Sequence, residues 1–229
     1  MKMFFNRWAA VGGLLLVLTA NGYAQSGFTV PPGGTSNLPS GSSMNLACAA
    51  LTVQGALNMN SAQVDSANAV TIAASGAVDA GQSTITLSGD WSNNGTFAAG
   101  TSTVVFNNGC TAGPMQLSGN TVFYNLTLSS TSGSTFVIPA GSNITVNGTL
   151  TLQGTNGQPI TLVSSSGSPA VINLGPNAHV NQVNTNLNNV QIGAGTNSQG
   201  IPTLQTWGLL MLGLLLTALM VWQQRREHS

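Results

Sequence analysis

Few side chains in this 229-residue sequence are equipped for chemistry. Cys48 and Cys110 are the only cysteines, Asp65, Asp79 and Asp90 the only carboxylates before Glu227, and His179 the only histidine before His228. Glycoside hydrolysis asks for two carboxyl groups roughly 5–9.5 Å apart. Asp79 and Asp90 are 11 residues apart, which allows such a meeting without indicating it. Asp90 sits in "SGDWSNNG", a turn-like setting where aspartate commonly caps its own backbone. Serine is abundant, so a Ser–His–Asp set built on His179 is compatible with composition, but no "GxSxG" elbow is present and a solvated loop is the plainer reading. Two thiols and one distant histidine lack zinc-ligand spacing, so neither a metal nor a cofactor is expected. Trp91, Phe97, Phe106, Phe123 and Tyr124 are candidates for a sugar-stacking face, with the core as the alternative for Phe97 and Phe106. The sequons at Asn94, Asn125, Asn143 and Asn147 follow from composition alone.

The segment that must position these groups, residues 25–200, is rich in Gly, Ser, Thr and Asn, with apolar residues at period two. "TITLSG" puts Ile85 and Leu87 on one face, and "NITVNGTLTL" does the same with Ile144, Val146, Leu150 and Leu152. "TVFYNLTL" puts Val122, Tyr124, Leu126 and Leu128 together. Such alternation, bounded by Gly, Asn and Ser, reads as half-buried strand. No amphipathic helix is visible, so the body is all-β.

"GAL" at 55–57, "GAV" at 76–78 and "GTF" at 95–97 recur at steps of 21 and 19 residues, whereas "GTL" at 148–150 falls out of step. Repeats of about 20 residues suit a right-handed parallel β-helix, whose coils bury their apolar faces by stacking. Asparagines fit its turns, where they tolerate left-handed backbone and bond to asparagines above and below. A β-sandwich is the rival fold, because the pairs Asn94 with Gly95 and Asn147 with Gly148 read equally well as hairpin turns.

Cys48 and Cys110 lie 62 residues apart, about three coils in the helical fold. Three coils at about 4.8 Å each make roughly 14 Å, beyond the ~7 Å that a disulfide spans between Cα atoms. A bridge therefore needs one cysteine on a folded-back loop or cap. Two isolated buried thiols are the alternative.

Charge is confined to the ends. The four basic residues are Lys2, Arg7, Arg225 and Arg226, so the body has no cation with which to grip phosphates, and nucleic-acid binding is excluded. Lys2 and Arg7 precede an apolar run over residues 8–20 and then "NGYAQSG", the layout of a secretory signal peptide over residues 1–24. Gly22 and Ala24 take positions −3 and −1, which puts the cut between Ala24 and Gln25. The 16 residues of 207–222 make about 24 Å of helix, enough to cross a thin bilayer with modest mismatch. Trp207 and Trp222 fall at its interfaces, and Arg225 and Arg226 stay in the cytoplasm by the positive-inside rule.

The stretch "IPTLQTWG", then an apolar helix, then "RR", resembles the IPTL-CTERM sorting signals of Gram-negative bacteria. The matching residues are Ile201, Pro202, Thr203, Leu204, Trp207 and Gly208, then Arg225 and Arg226, within residues 201–229. The resemblance implies recognition and cutting by an exosortase, a membrane-embedded transpeptidase-like enzyme, and delivery of the body to the cell surface or extracellular matrix. Before the cut, the C-terminal helix holds the precursor in the inner membrane; a permanent single-pass anchor is the alternative. The order of the Gly/Asn/Thr-rich segments in the body is similar to pectin-lyase-like solenoids and adhesin stalks. A lyase of that group uses Arg or Lys as base, and the body has neither. The expectation is an exported, non-catalytic surface or matrix protein with a structural or adhesin-like role. The alternative is a carbohydrate-active enzyme or glycan-binding module with surface glycans as partner.

Overall fold

The computed structural model describes residues 27–110 and 113–193. The signal segment with Ala24 and Gln25, and the tail with Ile201 to Arg226, lie outside the described residues.

The chain winds as a parallel β-solenoid of about seven turns. Coil 1 holds β1 (Phe28–Val30), β2 (Thr35–Asn37) and β3 (Ser43–Asn45), and coil 2 holds β4 (Leu51–Val53), β5 (Ala56–Asn58) and β6 (Gln63–Ala67). Coil 3 holds β7 (Val70–Ile72), β8 (Ala77–Asp79) and β9 (Thr84–Leu87), and coil 4 holds β10 (Trp91–Asn93), β11 (Thr96–Ala98) and β12 (Thr103–Phe106). Coil 5 has one long strand, β13 (Met115–Phe123), followed by β14 (Asn125–Ser129). Coil 6 holds β15 (Thr135–Ile138), β16 (Asn143–Val146) and β17 (Thr149–Gln153), and coil 7 holds β18 (Ile160–Ser164), β19 (Ala170–Leu174) and β20 (His179–Val183). The strands β21 (Thr185–Asn188) and β22 (Val190–Ile192) begin a further turn.

Like strands stack into three faces. The first runs β1-β4-β7-β10-β13-β15-β18-β21, and the third runs from β3 to β20 through one strand of every coil. The second is interrupted: β2, β5, β8 and β11 form a four-stranded sheet, and β13 resumes the face with β16, β19 and β22. Every pairing between named strands is parallel, which rules out the hairpin sandwich. Asn94 with Gly95, and Asn147 with Gly148, are coil corners that pass the chain from one face to the next. Among the described residues no helix occurs.

Period-two patterning makes these strands because most alternate one or two inward apolar side chains with outward residues, often Thr, Ser or Asn. Ile85, Val104, Leu126 and Leu150 stack in register inside the third face and are all buried. Thr29, Thr52, Thr71 and Ser92 form the matching outward column of the first face. Burial of each large aliphatic contributes about 1.5–3 kcal/mol, and outward β-branched neighbours add cross-strand contacts.

The "GAL", "GAV" and "GTF" repeat stacks as read: Leu57, Val78 and Phe97 follow one another inside the second face. "GTL" at 148–150 falls out of step because it belongs to the third face, where Leu150 pairs with Leu126. One alternation does not survive. Phe123 is fully buried whereas Val122 and Tyr124 are exposed, because the chain turns a corner between β13 and β14 and the inward parity resets. Leu126 and Leu128 do face the core.

Asparagine works at the corners as expected. Asn60, Asn184 and Asn189 have positive φ, and Asn58 Nδ2 donates to Asn37 Oδ1 one coil below at 2.6 Å.

Candidate functional site

Between coils 4 and 5 the second face has no strand ladder, and side chains span the gap. Trp91, Phe97 and Phe123 meet there with ring centroids 5.1–5.9 Å apart, Trp91 and Phe97 edge to face. Such pairs add about 0.5–1.5 kcal/mol beyond area burial. The Trp91 indole Nε1 donates to Thr121 Oγ1 at 3.0 Å, and Asn93 Nδ2 donates to Asn120 O at 2.7 Å and to Thr121 Oγ1 at 3.1 Å. β13 bends from the first face into the second near Gly119, whose φ of +86° suits glycine and where a Cβ would run into the Asn93 carbonyl. The sugar-stacking reading is therefore corrected: Trp91, Phe97, Phe106 and Phe123 fill the core, and of the five aromatics only Tyr124 is exposed. Wide flat rings were needed inside, where the ladder fails.

The three carboxylates are spread over the coil rather than brought into one groove. Asp65 lies on the third face, beside Asn45, and accepts from Ser43 Oγ at 3.2 Å. Asp79 lies on the second face, beside Asn58, and accepts from the backbone N–H of Gly81 at 3.1 Å. Asp90 stands at the corner leading into β10 and accepts from the backbone N–H of Gln116 at 2.8 Å. It caps a backbone group, but in the next coil rather than its own. His179 opens β20 beside Thr149 and is exposed. Among the described residues no three of His, Cys, Asp and Glu gather as a metal site would require. A neutral groove of about 520 Å³ runs between coils 6 and 7, lined by Pro139, Ser142, Asn143, Ser164, Ser168 and Asn173 among others.

Cys48 and Cys110 are joined in a disulfide with Cα atoms 5.5 Å apart. The separation of three coils is closed by a fold-back. Cys48 stands in the corner after β3 with φ +66°, its N–H donating to Ser66 O at 2.7 Å. After β12 the chain leaves the stack: the Asn107 N–H still donates to Leu87 O, and Ser88 Oγ donates to Asn107 Oδ1. Cys110 then reaches back past coil 3 until its Sγ lies 3.8 Å from the same Ser66 carbonyl. The insertion that permits this shows in the register, since Trp91 pairs with Leu117, a longer step than that from Val70 to Trp91. The signal for it in the sequence is "NNGCTAGP", a run of turn formers where a strand is due.

The body is thus a disulfide-stapled parallel β-solenoid whose polar side chains mostly serve its own corners. Comparison with known families finds an IPTL-CTERM motif over residues 199–226, a span containing Ile201, Pro202, Thr203, Leu204, Trp207, Gly208, Arg225 and Arg226. The chain therefore carries a C-terminal signal for exosortase sorting, and that signal implies export to the cell surface. No curated protein and no solved structure matches the chain significantly.

Proposed function

We propose that this protein is a non-catalytic structural or adhesin-like component of the cell surface or extracellular matrix, a right-handed, pectin-lyase-like β-solenoid delivered there by an exosortase. The IPTL-CTERM motif at residues 199–226 carries the reading. The proposed course has residues 1–24 removed after export, with the cut between Ala24 and Gln25. The helix over 207–222 then holds the precursor in the inner membrane, with Arg225 and Arg226 inside, while the exosortase grips the strip Ile201, Pro202, Thr203, Leu204. Pro202 keeps that strip extended, since its ring lacks an amide hydrogen and restrains the preceding residue. The separation of Asp65, Asp79 and Asp90 over different faces and their hydrogen-bonding roles support a body that does no chemistry.

The test is mass spectrometry of the protein from envelope and medium, with and without residues 201–229. Intact chain should lose both ends, and the truncated chain should lose only the first and escape into the medium. A truncated chain retained like the intact one overturns the sorting role.

A further inference from the structure

Among the described residues nothing closes the solenoid core at its C-terminal end. Val180 stacks on the fully buried Leu150, and Leu187 on the fully buried Leu162, yet they are 39% and 40% exposed. β20, β21 and β22 are the last strands of their faces, so one edge of each has no strand partner among the described residues. Soluble proteins usually guard such edges with lysine, proline or inward charge. Here β20, β21 and β22 contain no proline, and no Asp, Glu, Lys or Arg occurs between Asp90 and Arg225. Only residues 194–198 separate the last described residue from the sorting motif. One coil takes between 19 residues (Leu51 to Val70) and 30 (Leu150 to Val180). Five residues cannot supply a closing turn, so once the tail is removed nothing in the chain is long enough to cover this end.

The opposite end offers a matching surface. β1, β2 and β3 are the first strands of the same three faces, the apolar side chains of Phe28, Leu38 and Met44 are only partly buried there, and no charged residue precedes Asp65 in the body. We infer that the C-terminal end of one molecule docks onto the N-terminal coil of a second copy, β21 extending onto β1 and β22 onto β2 as parallel neighbours. A contact between two different surfaces makes a ring or an open filament according to whether its rotation closes, and one that continues the coil stack along its own axis makes a filament. The inference rests on the proposed cleavage, which would free the C-terminal end from the membrane.

The experiment uses processed protein recovered from the cell surface, its intact mass measured first, and sedimentation velocity over a hundredfold concentration range. Wild type should form a ladder of species growing with concentration. Leu187→Lys and Val180→Lys, each checked for native thermal unfolding, should remain monomeric where wild type is assembled, and Val122→Lys on the flank should assemble normally. Val180→Lys keeps its N-terminal coil and should shorten wild-type assemblies when added substoichiometrically. Wild type that stays monomeric throughout, assembly indifferent to both end-face lysine variants, or wild-type assemblies untouched by added Val180→Lys would each overturn head-to-tail docking. A tail still attached in the measured mass would instead count against the sorting reading, and docking is then scored on that precursor in detergent.

Discussion

Trp91 Nε1 and Thr121 Oγ1 stand 3.0 Å apart inside the solenoid, joining coil 4 to coil 5 where the second face lacks its ladder. Backbone hydrogen bonds tie the other faces together at this level. Here an indole, an asparagine and two phenylalanines take their place.

Trp91→Ala should therefore cost about 3–5 kcal/mol, the range for emptying a buried aromatic site. Trp91→Phe keeps most of the volume and removes the donor, while Thr121 Oγ1 retains Asn93 as partner; about 1–2 kcal/mol is expected. Urea titrations of the two variants measure both.

The parity reset at the corner after β13 predicts opposite outcomes for adjacent residues. Phe123→Ala should lose about 3–5 kcal/mol, and Val122→Ala should stay within about 0.5 kcal/mol of wild type, as exposed substitutions do. Equal losses at the two positions would contradict the register.

Removing the cross-link is expected to cost about 4 kcal/mol, from the entropy of closing a loop with a 62-residue span. Cys48→Ser together with Cys110→Ser, compared with wild type in denaturant under oxidising and reducing conditions, gives the value. Wild type under reducing conditions should approach the double variant.

Two glycines of similar φ separate backbone strain from close packing. Gly141 (φ +81°) has open space where a Cβ would go, so Gly141→Ala should cost about 1–2 kcal/mol for the left-handed backbone alone. Gly119 (φ +86°) has the Asn93 carbonyl in the way, so Gly119→Ala should cost clearly more and disturb the Trp91 fluorescence as well.

The strands and their stacking were legible because Ile85, Leu87, Ile144 and Leu150 announce themselves at period two, and the tripeptides at 55–57, 76–78 and 95–97 mark one corner three times. The tail was legible through its order of proline strip, apolar run and arginines. Corners were the weak point. A period-two count carried across Phe123 into Leu126 puts Val122 and Tyr124 on the wrong side, since a turn consumes residues without preserving phase. The disulfide was open from spacing alone, because it depends on residues 107–110 leaving the stack and bringing Cys110 beside Ser66, 44 residues earlier in the chain. Likewise the interior place of Trp91 answers to a gap in the second face that exists only once the coils are stacked.

The staple between Cys48 and Cys110 bears on survival outside the cell. A protease that nicks any exposed corner from residue 49 to 109 severs the polypeptide but not the molecule, because sulfur still links the two fragments. The earliest coils, the most distant from the C-terminal sorting signal along the chain, are thus leashed to the middle of the solenoid, and a single bite there leaves nothing loose to diffuse away.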